Sequence, residues 1–172
     1  MRPLRKSRST SPCNMNYYLN IGSNIGERRD NLYRAVVALT AGTGGSVTSR
    51  VVESDPWGFD SENRFMNIGL WLASDLSPHE MLKRIHEIEH RLGSGSHRDE
   101  NGGYIDRLVD IDIMAIDDMV IDSPSLVVPH QHLADRDFFL RPMMELAPNW
   151  QHPVTGLTAQ EMLSGLSQKN KT

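Results

Sequence analysis

Runs of apolar residues with alternating and helical spacing follow one another along the chain from position 17 onward. The segment "YYLNIG" has the pattern of a strand and ends in the glycine turn "GSNIG"; apolar residues then recur at intervals of three and four, which predicts a helix. Segments 46–54 and 65–73, rich in β-branched and apolar residues, predict two further strands with a loop at 55–64 between them. This half of the chain therefore predicts the order β-α-β-β.

The clearest helix start lies at Ser77. Ser77 suits the N-cap, Pro78 the first helical position, and Glu80 follows three residues after the cap, which together predict a capping box. Glu89 lies on the apolar side of this helix, where an unpaired carboxylate is costly, so we expect it to have a partner. Gly93 ends the helix.

A long segment rich in Gly and Ser, 93–106, precedes the fourth predicted strand at 107–116, and we expect a functional loop there. The resulting order β-α-β-β-α-β predicts an α+β fold of the ferredoxin-like type, an antiparallel sheet with two helices packed on one face. The C-terminal part predicts a short extra strand pair or arm at 119–130 and then short helices. We expect these additions to extend the sheet without forming a second core.

Length and composition are typical of an ordinary soluble domain. The 172 residues suffice for one core, and we expect a basic, disordered extension at 1–14 followed by a single domain at 15–172. The net charge of -4 gives no general attraction to nucleic acid or to anionic membranes. No apolar run has the length of a bilayer span, and the lone Cys13 favours a reducing compartment, so we expect a cytoplasmic protein.

Two carboxylates interrupt the apolar run of the fourth strand in "DRLVDIDIM". In a strand, Asp110 and Asp112 project from one face, about 6 to 7 Å apart at the backbone, while Val109, Ile111 and Ile113 line the other. Such a pair suits Mg²⁺, which is held by one or two protein carboxylates together with water and phosphate oxygens. A polar strand face turned to solvent explains the same spacing equally well.

Cationic side chains lie close to this pair in the sequence. Arg107 directly precedes the strand, and His97 and Arg98 lie in the loop before it, where they are candidates to bind phosphate oxygens. His130 and Arg136 follow later, and a phosphate contact suits them better than zinc, because the neighbourhood offers neither a third ligand nor a cysteine. A metal together with arginines indicates a polyphosphate ligand.

Aromatic and amide side chains surround the start of the third strand. Trp57 and Phe59 lie in the preceding loop, Phe65 begins the strand, and Asn67 shares a strand face with Phe65. Aromatic rings stack on flat heterocycles, and an amide both donates and accepts hydrogen bonds. For each residue alone, a place in the core is the simpler interpretation. Together they predict one wall of a pocket.

Five segments, taken in order, resemble the 6-hydroxymethyl-7,8-dihydropterin pyrophosphokinases of folate biosynthesis. They are "GSNIG", "SDPWG", "FMN", "DRLVDIDIM" and "VPHQHLADRDFFLRPMMELAP", and the resemblance extends from Met15 to about Leu163. Its most specific part is Arg-x-x-Asp-x-Asp-Ile combined with Val-Pro-His and Arg-x-Phe. The resemblance implies a ferredoxin-like sheet and transfer of the β,γ-pyrophosphoryl group of ATP to the pterin hydroxymethyl group, with release of AMP.

The resemblance also implies roles for individual residues. Asp110 and Asp112 would hold two Mg²⁺ ions that bridge the ATP phosphates, with Arg107 and Arg98 as further catalytic residues. The implied pterin residues are Ser54, Asp55, Trp57, Phe65, Asn67 and Phe138, with the rings of Phe65 and Phe138 on either side of the pterin. The implied ATP residues are His86, Glu89, Arg98, Arg107, Ile113, His130 and Arg136. The expected partners are ATP and the pterin, with no nucleic acid, membrane or obligate protein partner.

The loop before the fourth strand departs from the family pattern. Ser94 and Ser96 stand where members often have arginines, and Tyr104 stands where they often have tryptophan. His97 and Arg98 are candidates to replace the arginines. We expect this Gly- and Ser-rich loop to close over the ligands and exclude water.

Two other functions remain open from the residues alone. One is a ferredoxin-like binding module in which Asp110 and Asp112 form a solvated strand face; an RNA-binding version needs a basic surface, which the acidic balance opposes. The other is a phosphotransferase with a different acceptor, in which the metal site is retained and the pterin pocket is not.

Overall fold

A four-stranded antiparallel sheet forms the centre of the computed structural model, which describes residues 14–94 and 105–169. Its strands are β1 (Met15–Ser23), β2 (Gly45–Ser54), β3 (Phe65–Ser74) and β4 (Asp110–Ile116). They lie in the order β2-β3-β1-β4, so that β1 is central between β3 and β4. This order confirms the predicted ferredoxin-like arrangement.

Helices cover both faces of this sheet. One face packs against α1 (Arg28–Thr40) and α2 (Pro78–Arg91), as predicted, and buries Leu19 and Ile21 of β1. The opposite face packs against α3 (Asp137–Leu146), which in turn contacts α4 (Ala159–Lys169). The two predicted crossover helices therefore share one face, as expected, and the C-terminal helices, for which the sequence predicted no particular face, cover the other.

The C-terminal helices build a second apolar cluster on that opposite face. Met114 of β4 is buried there together with Phe139 and Met143 of α3. The expectation of additions without a second core is thus wrong, and Gly69 of β3 supplies one physical reason. A Cβ atom at Gly69 would lie 2.5 Å from the Cβ of Pro142, so the glycine allows α3 to approach the sheet closely.

The start of α2 confirms the predicted capping box. The hydroxyl of Ser77 accepts a hydrogen bond from the backbone N–H of Glu80, and the Glu80 carboxylate accepts one from the backbone N–H of Ser77 at 2.8 Å. Pro78 occupies the first turn, where no backbone N–H is required.

β4 is an edge strand, and side chains bind the backbone groups that β1 leaves unused. The carboxylate of Glu89 accepts a hydrogen bond from the backbone N–H of Ile111 at 2.8 Å. The hydroxyl of Ser94 donates to the Val109 carbonyl at 2.6 Å and accepts from the Val109 N–H at 2.8 Å. We call Glu89 and Ser94 the edge pins of β4. The N–H group of Ile111 is thus a partner of the kind that Glu89 was expected to have.

The fourth strand begins later than predicted, at Asp110. Arg107 lies outside the ladder because its backbone pairs with the turn after β1: its N–H donates to the side chain of Asn24 at 2.8 Å, and its carbonyl accepts from the Asn24 N–H at 3.2 Å. The predicted short strand pair is confirmed as β5 (Ile121–Asp122) and β6 (Val127–Val128). In the part of the chain that the structure describes, no helix has the length and apolar character of a membrane span.

Candidate active site

Polar side chains gather at one end of the sheet face that α3 covers elsewhere. Gly22 of β1 lies opposite Asp110 on β4 and opposite Asn67 on β3, and Asn20 of β1 lies opposite Asp112. Because opposed residues of antiparallel strands share a face, both carboxylates and both amides project from the same side. This end of the sheet face is the candidate active site.

The two carboxylates differ in their cationic neighbours. Asp110 forms an ion pair with Arg107, whose Nη1 atom lies 2.7 Å from its Oδ2 atom, and the Arg107 side chain is 9% exposed. Asp112 faces His130 Nε2 and Arg136 Nη1, each 3.7 Å from one of its oxygens. These distances exceed those of hydrogen bonds, so Asp112 lies near an imidazole and a guanidinium group without a direct hydrogen bond to either of them.

An aromatic cleft opens on one side of this carboxylate pair. The space within it, counted together with the solvent at its mouth, is about 620 Å³. Every residue that the resemblance assigned to the pterin lines it: Ser54, Asp55, Trp57, Phe65, Asn67 and Phe138. The resemblance therefore named side chains that lie together in one cleft, and their roles toward a pterin stay predictions.

Arg136 brings a guanidinium group into the aromatic cleft. Its Cζ atom lies 4.3 Å from the centre of the Trp57 ring and 5.7 Å from that of Phe138. The imidazole of His132 also lies beside Trp57, with 4.7 Å between ring centres. A cation over aromatic rings is held by their electron-rich faces, so Arg136 connects the aromatic wall to Asp112.

A chain of amide hydrogen bonds forms the floor of the aromatic cleft. The Asn20 amino group donates to the Asn67 carbonyl oxygen at 3.2 Å, and the Asn67 amino group donates to the Ser54 hydroxyl at 2.9 Å. Asn20 was not among the site residues predicted from the sequence. Its signal was a polar residue between Leu19 and Ile21 in the middle of an apolar strand.

The glycine turn after β1 has two separate requirements. Gly26 has a φ of 67°, a left-handed conformation that glycine adopts readily, and this matches the predicted tight turn. Gly22 instead makes room for the floor of the cleft. A Cβ atom there would lie 3.0 Å from the Asn67 side-chain oxygen and 3.3 Å from the Phe65 ring.

An edge groove lies on the other side of the carboxylate pair, along β4 and between α2 and the β5–β6 pair. Both Asp110 and Asp112 line this groove as well as the aromatic cleft. Of the residues that the resemblance assigned to ATP, five line the groove: His86, Glu89, Arg107, Ile113 and His130. Arg136 lines the aromatic cleft.

Asp106 fastens the loop at 55–64 to the rest of the site. Its carboxylate accepts hydrogen bonds from Asn24 at 2.7 Å, Ser61 at 2.7 Å and Asn63 at 2.6 Å. Burial acts to raise the pKa of Asp106, but the hydrogen bonds from Ser61, Asn63 and Asn24, with the charge of Arg107, hold that pKa below its ordinary value. We call this set of contacts the Asp106 clamp, and sequence reasoning did not find it.

The predicted loop contacts of His97, Arg98, Ser96 and Tyr104 lie outside the described residues. Ser94 is described, and it is an edge pin of β4 at a position where the resemblance led us to expect an arginine. Within 14–94 and 105–169, no three His, Cys, Asp or Glu side chains are grouped to hold a metal. Two carboxylates with room for phosphate fit Mg²⁺, which needs only one or two protein ligands.

Sequence relatives of this chain are pyrophosphokinases. The 2-amino-4-hydroxy-6-hydroxymethyldihydropteridine pyrophosphokinase of Aquifex aeolicus is 37% identical over 137 residues, covering 80% of this chain and 83% of that protein. The enzyme of the same name from Porphyromonas gingivalis is 38% identical over 138 residues, covering 79% and 92%. The model of the 7,8-dihydro-6-hydroxymethylpterin-pyrophosphokinase (HPPK) family matches residues 18–148. The chain belongs to this family.

Solved structures share the fold. A crystal structure of HPPK-DHPS in complex with substrates superposes with a TM-score of 0.69 at 12% identity, covering 93% of this chain and 44% of that one. Wild-type Plasmodium falciparum HPPK-DHPS with pteroate gives a TM-score of 0.72 at 13% identity, covering 92% and 45%. This chain thus spans less than half the length of those structures.

Proposed function

We propose that the aromatic cleft and the edge groove hold the two substrates of a pyrophosphoryl transfer, with Asp110 and Asp112 between them. As a member of the HPPK family, the chain acts in folate biosynthesis by transferring a pyrophosphoryl group to hydroxymethyldihydropterin. We propose ATP as the donor and AMP as the second product. The observation that carries the proposal is that both aspartates line both clefts, because a transfer requires its two substrates to meet.

The pterin is proposed to bind in the aromatic cleft. Phe65 and Phe138 offer ring faces for a flat heterocycle, and Trp57 lies beside them. Ser54 and Asn67 offer a hydroxyl and an amide to its polar edge. Asp55, which also lines the cleft, completes the proposed pterin contacts.

The nucleotide is proposed to bind in the edge groove, with His86 and Ile113 at its sides. Arg107 and His130 would contact phosphate oxygens from the groove, and Arg136 would do so from the aromatic cleft. Glu89 would act through β4, because its carboxylate holds the backbone of the strand that bears the aspartates. Arg98 stays a predicted phosphate contact that lies outside the described residues.

Asp110 and Asp112 are the proposed ligands of two Mg²⁺ ions. When bound, Mg²⁺ polarises phosphate oxygens and offsets the charge that develops on the transferred group and on the leaving AMP oxygen. The protein's own part is positioning. A rigid strand holds both carboxylates on one face, and Arg107 orients Asp110 through a 2.7 Å ion pair.

We further propose that residues 15–172 act as one domain in the cytoplasm. ATP and 6-hydroxymethyl-7,8-dihydropterin are the proposed partners, with no obligate protein partner, nucleic acid or membrane. The acidic balance of the chain supports the last two points, since it offers no general attraction to anionic surfaces.

Product analysis tests the proposed reaction. The protein is incubated with Mg²⁺, ATP and the pterin, and the nucleotides are separated by chromatography. We expect AMP only when pterin, Mg²⁺ and an intact Asp110 are all present. Asp110→Ala should abolish it, whereas Asp118→Ala, an exposed aspartate just after the same strand, should leave it unchanged.

Each other outcome points to a different function. Formation of ADP would indicate a phosphotransferase of another kind. Absence of nucleotide turnover under all conditions would favour a ferredoxin-like binding module. Unchanged AMP formation by Asp110→Ala, with the variant still folded, would contradict the role proposed for the carboxylate pair.

A further inference from the structure

Two side chains that line the same cleft each contain a buried polar atom without a hydrogen-bond partner. Among the described residues, the buried side-chain atoms that lack a partner are Oδ1 of Asn20 and Nε of Arg136. Both side chains line the aromatic cleft. Folded proteins pair nearly all of their buried polar groups, and an unpaired one is costly. An acceptor and a donor left unpaired in one cleft indicate a ligand that carries both kinds of group.

The contacts of Asn67 determine which atom of Asn20 is left unpaired. The backbone carbonyl of Val52 can only accept, and it lies 3.5 Å from one terminal atom of the Asn67 amide, which must therefore be the amino group. The Asn67 carbonyl oxygen then points to Asn20, where it requires a donor. The amino group of Asn20 is used in this contact, and its carbonyl oxygen is the atom that lacks a partner.

The position of Asn20 indicates that its unpaired oxygen binds the pterin and not the nucleotide. Asn20 lines the aromatic cleft and not the edge groove. Its cross-strand neighbour Asp112 lines both. Asn20 is 3% exposed on the central strand β1, so its side chain has little freedom to move toward the groove. A pterin carries ring N–H and amino groups that can donate to such an oxygen.

We infer that Asn20 is a specificity-determining residue whose carbonyl oxygen accepts a hydrogen bond from a ring N–H or amino group of the bound pterin. This inference rests on the proposed assignment of the aromatic cleft to the pterin. A buried acceptor of this kind discriminates by penalising ligands that leave it unpaired. Asn20 thus adds a polar contact on the floor of the cleft to those proposed for Ser54 and Asn67.

Calorimetric titration with 6-hydroxymethylpterin, without nucleotide or metal, tests this contact. Asn20→Ala should weaken pterin binding about tenfold, the effect of one buried hydrogen bond. The affinity for a non-hydrolysable ATP analogue with Mg²⁺ should stay within about twofold of wild type. The matched control is Asn16→Ala on the same strand, because Asn16 bonds to Asp117 and lies outside the cleft. Asn20→Ser is the second variant, should the alanine variant be unstable.

A double-mutant cycle with Asn67 separates direct contact from positioning. If Asn20 acted only by orienting the Asn67 amide, its removal would have no effect once Asn67 is alanine. We expect Asn20→Ala to weaken pterin binding further in the Asn67→Ala background, because its own oxygen contacts the ligand. No further loss in that background would overturn the inference, as would an equal loss of nucleotide-analogue affinity.

The same titrations keep two failures apart. A wild-type protein that binds no pterin would contradict the assignment of the cleft and with it the role of Asn20. If the wild type binds pterin and the folded Asn20→Ala variant binds it equally tightly, only the role of Asn20 is contradicted. If the variants keep the wild-type melting temperature, a loss of pterin affinity reflects a lost contact and not a loss of folded protein.

Discussion

The two ends of one sheet face have opposite chemistry although they belong to the same strands. At one end Met114 belongs to the second apolar cluster, and Gly69 lies directly against Pro142 of α3. At the other end Asp110 and Asn67 project from the same face and line the aromatic cleft. The boundary is the start of α3, which directly follows Arg136. The place where a helix begins thus decides which part of a strand becomes core and which becomes a site.

This comparison predicts different costs for changes at the two ends. Apolar contacts under α3 should contribute to stability, because burial removes apolar surface from water. Charged groups in the open end should contribute mainly to function. Substitutions along the face can therefore separate stability from activity.

Asp112→Asn should have the largest effect on turnover. It removes a charge that faces His130 and Arg136, and we expect AMP formation to fall about 10³-fold, as for loss of several kcal/mol of charge stabilisation. The melting temperature should change little, because no hydrogen bond to either neighbour is lost. Steady-state assays with Asp118→Asn as the control measure this. Turnover within tenfold of wild type would contradict a central role for the carboxylate.

Met143→Ala should have the largest effect on stability. Met143 is fully buried between α3 and the sheet, and its truncation should lower the free energy of unfolding by about 2 to 5 kcal/mol. Urea denaturation measures this loss. Pterin affinity, measured well below the melting temperature, should stay near the wild-type value. An equal decline of both properties would show that the two ends are not separable.

Two glycine substitutions form a matched pair on this face. Gly69→Ala brings a Cβ atom to 2.5 Å from Pro142 and should reduce the free energy of unfolding by about 1 to 3 kcal/mol. Gly22→Ala brings one to 3.0 Å from the Asn67 side chain and should weaken pterin binding about tenfold with a smaller loss of stability. If the two variants lost stability and pterin affinity to the same extent, the proposed difference between the two ends of the sheet face would be wrong.

Asp106→Asn should have the smallest effect, and that effect should depend on pH. The pKa of Asp106 is lower in the folded state than in the unfolded chain, so the Asp106 clamp stabilises the folded state at neutral pH. This contribution is lost as the pH falls through the lowered pKa. We expect the variant to be less stable by about 1 kcal/mol or less at neutral pH, since the group is partly solvated.

Denaturation series at several pH values check this prediction. The difference between wild type and Asp106→Asn should narrow as the pH falls below about 4, the ordinary aspartate value. A difference that stays constant over the whole series would show that the carboxylate charge is not what fastens the loop. Met143→Ala, which removes only apolar atoms from the second apolar cluster, provides a reference without a titrating group.

Local patterns predicted those features that depend on neighbours in the sequence. Strand alternation placed Asp110 and Asp112 on one face, and the spacing of Ser77 and Glu80 predicted the capping box. Glu89 was expected to have a partner because of its place on the apolar side of a helix. That the partner is a backbone N–H of β4 depends on how α2 lies beside the strand, which spacing does not show.

Features built from distant segments could not be predicted in this way. Alternation shows that Asn20 points away from Leu19 and Ile21, but the neighbours that make it notable, Asn67 and Asp112, arrive through pairing with β3 and β4. The Asp106 clamp likewise joins a turn, a loop and a strand end. The second core was missed because an apolar helix pattern does not tell which face of a sheet the helix covers.

The edge pins of β4 have a consequence for association between molecules. An exposed strand edge offers free backbone groups with which an extended segment of another molecule can pair. The N–H group of Val109, just before β4, is already bound by Ser94, and that of Ile111 in β4 is bound by Glu89. The backbone next to the charged side chains is therefore already occupied at the start of the strand, which disfavours pairing there with an extended segment of another molecule.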